Sequence, residues 1–525
     1  MKLEIYVERK TLLPRLRVNM FPDITLVTPP TSASAISTAL NTNPHLTSLP
    51  SPKPNLLAPE GLDQTTGTAE IFRLPQVRAV VTGDFIVLPC DLVCELGGES
   101  LLETWMIKQA ALGGAIGGDE IFAGPRMALG GEKGGRRGGL GVWYSTKGEI
   151  TVKGEETDFI ATSPLVPGPV LPPEGSLLPH TTNLVYSLPT DTLNDITEEK
   201  KSLPLRHGLI RKHPRVRMMS SHRDAHLYIF PAWILDMINH NKKMDNLSED
   251  VIGWWAKAGW QDGLAVKLGL QEIFDGPQAK NIEENTAGSG YLDADIDIGS
   301  LSTTWTSKSL SNLQSGMTQK NGSTSETQTA EKLPETGRSS VSLAVPPILA
   351  YVHPSKAGTS LIRRVDTVPL LLLISLHLAK LESIEEVGRE ASSPFAHARK
   401  VAYPAGVAAK CTVTRPDCLL AENVTVEERC AIKECVIGVN CQIRQGTKLT
   451  RCILMDGVVI GKGCKLTGCI LGRRAEIGED SVLQDCEVED NMRIEPKSKL
   501  SLKDTLYCST LTIDSGVQKR KVQEF

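Results

Sequence analysis

Between residues 418 and 500 the large aliphatic residues recur on a fixed count. Leu420, Val426, Ile432, Ile437, Ile443, Leu449, Leu454, Ile460, Leu466, Leu471, Ile477, Leu483, Val488, Ile494 and Leu500 follow at steps of six, six and five, so the full repeat is seventeen residues. A second row, Cys418, Cys435, Cys452, Cys469 and Cys486, keeps the same repeat, each member two residues before one of the first row. Residues two apart in a strand share a face. Each coil therefore sends one large and one small side chain inward on every side. In the six-residue steps the small place holds residues such as Val424, Cys430, Cys441, Thr447, Ala475 and Ser481. This pattern predicts a hexapeptide β-helix, a triangular prism of short parallel strands. Five coils suffice to bury apolar faces that one coil cannot bury alone. Left-handed coiling is expected, as in other hexapeptide helices, against the right-handed crossover rule. Gly438, Gly461, Gly472 and Gly478 directly follow row members and are expected where the chain needs a permissive φ. A sandwich of similar strands would not hold a six-six-five count over five coils.

At 525 residues the chain exceeds one core, and two or three domains are expected. A hydrophobic content of 40% with 22% charged residues is that of a globular protein, and a net charge of −4 argues against nucleic-acid binding through bulk charge. Ten of the twelve cysteines lie at Cys411 or beyond, and most fit the β-helix rows. Stacked coils sit about 4.8 Å apart, too far for an ordinary disulfide, so these cysteines read as reduced core residues of a cytosolic protein. Zinc is a poor reading: no C-x-x-C pair occurs, and no histidine lies beyond His397. The opening MKLEIYVERK lacks the apolar core of a signal peptide. The longest apolar run, Val368 to Leu378, contains Pro369 and His377 and is too short to span a bilayer.

Ahead of the repeat the chain reads as an α/β domain. Strands are expected over 23–28, 80–88, 142–145, 158–161, 215–219, 226–230 and 345–352. Helices are expected over 32–40, 101–112, 232–238, 251–258 and 370–381, with a helical turn opening at Gly67. Strand alternating with helix implies a parallel sheet. Residues 41–64 and 162–182 are rich in proline and read as loop. The stretch GGEKGGRRGGLG, 130–141, lacks P-loop spacing and reads as a surface insertion. Trp254, Trp255 and Trp260 read as a helix edge in the core in preference to an interaction patch. Residues 276–340 carry few large apolar side chains and many Ser, Thr, Gln and Asn, the composition of a disordered linker. Residues 401–417 look like a worn first coil, with Val407 and Val413 near register. Asp91 closes the strand 80–88, and the carboxyl end of a central strand is where α/β sheets place ligand chemistry.

The layout, a nucleotidyltransferase-like (Rossmann-like) α/β domain followed by a left-handed parallel β-helix, is that of sugar-nucleotide pyrophosphorylases. The segments GTAEIF, DFIVLPCDLV, HLYIFPAWILD, RRVDTVPLL, CAIKECVIG and LMDGVVIGKGCKLTGCILG more specifically resemble the gamma-subunit family, of fungal type, of eukaryotic translation initiation factor 2B. The resemblance covers most of 23–275 and 345–500. It implies a nucleotidyltransferase-like domain over 1–275, an insertion or linker over 276–340, closing elements of the first domain over 341–400, the β-helix over 401–510 and a tail over 511–525. It also implies a cytosolic, non-catalytic subunit of the exchange factor for initiation factor 2, without cofactor, metal, membrane or nucleic acid. Its partners would be the epsilon subunit, the remaining subunits and initiation factor 2.

Two departures bear on this. No glycine-rich G-x-G-x-R loop precedes Asp23, so the first strand and phosphate loop of a pyrophosphorylase are missing or altered. Gly67 and Thr68, where the family contacts the base, and Asp91, where it binds a metal, are then read as vestiges of the fold. The epsilon subunit carries a C-terminal helical domain, whereas this chain ends 25 residues after Leu500, so the resemblance implies the regulatory partner and not the exchange catalyst. The alternative, an active sugar-nucleotide pyrophosphorylase, requires the missing loop and a metal on Asp91. A hexapeptide acyltransferase would need a histidine base on the β-helix, and the repeat has none.

Overall fold

The computed structural model describes residues 24–42, 54–63, 65–109, 137–148, 150–165, 171–275, 345–355, 359–388 and 392–501. The 276–340 linker, the tail from 511 and most of the stretch 130–141 lie outside these residues. Described residues up to Leu270 and from Val345 onward belong to one compact unit, and Gln271–Asp275 to another. Among the described residues no helix is long and apolar enough to cross a membrane.

The β-helix consists of three parallel sheets of six, five and five strands. Their register is the seventeen-residue repeat: Leu420 pairs with Ile437, Ile437 with Leu454, Leu454 with Leu471 and Leu471 with Val488. The inward rows form one continuous buried core. The first coil is complete in outline. Val401, Val407 and Val413 pair with Leu420, Val426 and Ile432, nineteen residues on instead of seventeen. A short 3-10 turn at Arg415–Asp417 lies just ahead of the first regular coil and takes up the difference.

The corner glycines need correction. Gly438, Gly461, Gly472 and Gly478 do not adopt positive φ. Three of them are required by space: an added Cβ would lie 2.7 Å from Glu479 N at Gly461, 2.6 Å from Asp490 N at Gly472 and 2.3 Å from Pro496 N at Gly478. The left-handed residues are the ones three places before every row member from Val426 to Leu500, among them Asn423, Asn440, Gly446, Gly457, Gly463, Gly468, Asp480, Asp485 and Asn491. Asn, Asp and Gly are the residues that tolerate this conformation best.

The small inward side chains also serve as donors. Cys430 Sγ donates to Arg444 O (3.2 Å), Cys441 Sγ to Met455 O (3.0 Å), Thr447 Oγ1 to Gly461 O (3.1 Å), Cys464 Sγ to Gly478 O (3.0 Å) and Ser481 Oγ to Glu495 O (3.2 Å). Each accepting carbonyl is fourteen residues on, at a corner of the next coil. Burial pushes the Cys441 thiol up to about 11. Its hydrogen bond with Cys435, together with burial, pushes Cys452 to about 12. Of the eleven described cysteines only Cys90 is exposed, Cys411 is intermediate and nine are buried. Thiolate is the reactive form. A maleimide is therefore expected to label, of these eleven, Cys90 and partly Cys411 in the folded chain, and the ladder only after denaturation. Peptide mass spectrometry reads this directly, and rapid native labelling of Cys452 or Cys469 would contradict it.

The first domain is built on strands β1 (Thr25–Val27), β2 (Asn55–Leu57), β3 (Phe85–Val87), β4 (Leu92–Cys94), β5 (Gly139–Ser145), β6 (Asp158–Ser163), β7 (Thr181–Pro189), β8 (Arg217–Phe230), β9 (Ile348–His353) and β10 (Ile362–Arg364). The main sheet runs β3-β8-β5-β9-β7-β6, with β6 also paired to β8, so five of the strands close into a ring. The expectation of a parallel sheet is corrected: in the main sheet only β5 and β9 run parallel. One reason is that β6 and β7 pair directly as antiparallel neighbours, with no crossover helix among the described residues between them. Another is that the strands expected at 215–219 and 226–230 are one fourteen-residue strand, interrupted by a bulge but not by a helix. Strand β2 lies inside the segment 41–64 read as loop, β7 begins at the end of the segment 162–182, and residues 75–80 form a helix ahead of a shorter β3. Gly139 and Gly141 belong to β5 and not to a surface insertion. A Cβ at Gly139 would meet the Trp255 ring at 2.6 Å, and one at Gly141 the Trp143 ring at 2.6 Å. Trp255 and Trp260 are buried as core residues, their indole N–H groups donating to Pro346 O (2.7 Å) and Val185 O (2.6 Å), while Trp254 is exposed.

The two halves share a core. Val436, Ile453 and Ile470 are the outward side chains of one β-helix sheet, yet they are buried with Leu371, Ile374, Leu376, Val93 and Val365. The helix Val368–Lys380 supplies much of that cover. The Lys400 ammonium donates to Ala379 O and, at 3.2 Å, to Pro416 O, tying the end of this helix to the first coil.

Candidate functional site

Gly67, Thr68 and Asp91 make separate contacts. Gly67 caps the short helix Thr68–Ile71, where an added Cβ would lie 2.3 Å from Asp245 O. Ala69 N–H donates to Asp245 O (2.8 Å) and Leu247 N–H to Thr68 Oγ1 (2.9 Å). This pair thus staples its helix to the 245–247 segment.

Asp91 sits in the turn before β4. β4 pairs antiparallel with β10, placing Arg364 opposite Leu92, and Val365 N–H donates to Asp91 O (2.8 Å). Arg364 then reaches Asp91 Oδ2 through Nε (3.1 Å) and Nη2 (2.8 Å). Its Nη2 also lies 3.6 Å from Asp366 Oδ2, and its Nη1 3.4 Å from His226 Nε2. Asp91 Oδ1 is buried without a hydrogen-bond partner. Arg363, facing the other way as its neighbour in a strand must, donates to Ile150 O (2.7 Å) and contacts Glu155 Oε1 (3.5 Å).

Behind this pair lies a second buried arginine. Arg223, on β8, forks onto Asp366 (3.1 and 2.5 Å) and approaches Glu155 (3.7 Å) and Glu156 (3.4 Å). Burial opposes ionisation of Asp366, but the Arg223 hydrogen bonds and charge hold its carboxyl below the usual range. Next along β8 the strand bulges, and His226 takes φ 51°. Asp224 holds the bulge, accepting from His226 N–H (2.8 Å) and Tyr228 O–H (2.5 Å), while its own N–H donates to Asp158 Oδ2 (2.7 Å). Burial, then the neighbouring Asp158 charge, pushes Asp224 up to about 7. Burial and Arg364 push His226 down to about 4.

An active pyrophosphorylase would carry its metal on Asp91. The residues present do not fit one, because Arg364 already holds Asp91 Oδ2 through two hydrogen bonds and brings its positive charge to that carboxylate. Among the described residues no cluster of three or more His, Cys, Asp or Glu is placed to hold a metal ion.

Residues 402–518 match the family described as the EIF2B subunit epsilon LbH domain. The C-terminal domain is similar to that left-handed β-helix. A second comparison finds translation initiation factor eIF2B subunit gamma of the fission yeast Schizosaccharomyces pombe, 29% identical over 83 residues. That alignment spans 16% of this chain and 18% of the relative's own length. The matches carry two subunit names, epsilon and gamma, and share the factor.

Asp224 gives the site a pH signature. Its folded value, about 7, lies above the 3.8 of an ordinary aspartate. Stability from such a group is fully present below its unfolded value and is lost as pH rises through the folded one. Asp224→Asn does not titrate. The difference in unfolding free energy between variant and parent should therefore move in the variant's favour by about 1.4 kcal/mol per pH unit between about pH 4 and 7. Urea titrations across that range test it, and a pH-independent difference would contradict it. Sequence reading missed Arg223, Asp224, His226, Arg364 and Asp366 as a group. The available signal was the short charged run His222-Arg223-Asp224 between the two strands expected at 215–219 and 226–230: if the strands are one, those charges are buried and must be paired.

Proposed function

We propose that this chain is a gamma-type, non-catalytic subunit of the guanine-nucleotide exchange factor for translation initiation factor 2. In this reading it binds the epsilon subunit and the remaining subunits in the cytosol and promotes GDP/GTP exchange by holding them in a productive arrangement. A subunit that favours that arrangement accelerates the reaction without supplying a chemical group. Residues 1–275 and 341–400 form the nucleotidyltransferase-like part, 276–340 its insertion and 401–510 the β-helix. Gly67, Thr68 and Asp91 are remnants of the nucleotidyl-transfer site.

The observation that carries this reading is the β-helix, with its eIF2B-type match over 402–518, packed through Val436, Ile453 and Ile470 onto an α/β domain whose Asp91 is neutralised by Arg364. Co-expression with an affinity-tagged epsilon subunit tests it. The proposal expects both chains to elute together in constant ratio through size-exclusion chromatography. Separate elution under conditions where each chain is folded would sink it.

A further inference from the structure

Residues 200–217, KKSLPLRHGLIRKHPRVR, carry seven Lys or Arg and neither Asp nor Glu, in a chain whose net charge is −4. All seven are exposed, and among the described residues none of them forms an ion pair. Exposed cations elsewhere do find carboxylates: Arg399 lies 3.3 Å from Glu385, and Arg493 3.3 Å from Glu476. An ordinary solvated face mixes the two signs, and this one does not.

The fold sets the basic run against aromatic side chains. The helix His207–Lys212 is pinned by Leu209, buried with Val185 and Trp260, and by Lys212 Nζ, which donates to Gly259 O. Gly259 ends the helix Gly253–Ala258, which carries Trp254 and Lys257. Lys257 Nζ lies over two rings, 4.6 Å from the centroid of Tyr186 and 5.1 Å from that of Trp254. Burial, then the Arg206 charge, holds this ammonium below the usual lysine range. Among the described residues no carboxylate pairs with either cation. Two like charges are thus held near each other with nothing of opposite sign between them. On the same elements Leu205, Ile210 and Trp254 are exposed. Apolar side chains set among unpaired cations fit a partner that brings both carboxylates and apolar groups.

We propose that this face docks an acidic segment of another protein, with its carboxylates on Arg206, Arg211, Lys212 and Lys257 and its apolar side chains on Ile210 and Trp254. Nucleic acid fits less well. Phosphates would use the cations but leave Leu205 and Ile210 uncovered. A long polyanion would also meet the net negative charge of the rest of the chain, whereas a short acidic segment meets the patch alone. The proposal holds whichever exchange-factor subunit this chain is, and its test needs no partner subunit, so it fails separately from the proposal of epsilon binding.

The test is fluorescence anisotropy of the full chain with a labelled peptide in which aspartate alternates with leucine. The peptide is expected to bind, and to bind less as salt rises. Exchanging its leucines for serines, or its aspartates for lysines, should weaken binding about tenfold or more. Arg206→Glu combined with Arg211→Glu should do the same. Lys448→Glu with Lys465→Glu makes the same change of net charge on an exposed face of the β-helix and should leave binding unaltered. Ile210→Ser should weaken the leucine peptide but not the serine one. All these positions are exposed, so each variant is expected to keep the parent's thermal midpoint, and the peptide exchanges need no variant at all. The proposal is overturned if the aspartate–leucine peptide does not bind, or if the β-helix changes weaken it as much. Tighter binding of a labelled uridine oligomer, lost in Arg206→Glu, would overturn it in favour of a nucleic-acid site.

Discussion

Replacing Arg223 by methionine is expected to destabilise the chain by about 3–5 kcal/mol, the usual cost of removing one partner from a buried ionic group. The side chain is 4% exposed, and it separates Glu155, 2% exposed, from Asp366, 24% exposed. Glu156, at 78% exposure, is screened by water and should contribute little. Without Arg223, the nearest cation to Asp366 in the network is Arg364 at 3.6 Å, and to Glu155 it is Arg363 at 3.5 Å. Lysine at 223 restores a charge but not the fork onto both Asp366 oxygens, so Arg223→Lys should recover part of the loss. The measurement is the shift of the urea midpoint at constant slope. A shift worth less than about 1 kcal/mol would mean that the network is effectively solvated.

Ile453→Asp should have a comparable effect by a different route. Ile453 points away from the β-helix interior, yet it is 2% exposed because the helix Val368–Lys380 and its neighbours cover that sheet. A carboxylate there has no basic partner in the cluster and must either stay buried at a cost of about 3 kcal/mol or more or separate the two surfaces. The inward rows, Leu454 included, are untouched, so the β-helix is expected to keep its own transition. Calorimetry should show one unfolding peak for wild type and two for the variant. Val482→Asp is the control. Val482 is outward on another sheet, 37% exposed, and lies between Lys465 and Lys499, so the change should stay within about 0.5 kcal/mol. A single unshifted peak for Ile453→Asp would show that the covered face contributes nothing to stability.

The β-helix was legible because its signal is a count. Period, register and even the reduced cysteines follow from positions seventeen apart, and no long-range pairing has to be guessed. What the count could not separate was why a glycine stands at a corner. Gly461 and Gly478 are there because the next coil's backbone leaves no room for a Cβ, whereas the positive φ falls three residues before each row member, where Asn and Asp recur. The first domain was less legible. Strand β8 carries Arg223 and Asp224 in its middle, and a charged interruption in an apolar run reads as a break, although here the charges are paired inside the fold. Strand β7 follows a proline-rich segment that masks its start. The role of Arg364 depends on the pairing of β4 with β10, segments about 270 residues apart, and no local pattern announces which distant carboxylate an arginine will meet.

The most direct test of the account is GDP release from initiation factor 2, catalysed by the epsilon subunit alone and again with this chain present. The account predicts faster release together with co-elution of the two chains, unchanged by Asp91→Asn because that carboxylate takes no part in exchange. Unaltered release with separate elution of the two folded chains would contradict it.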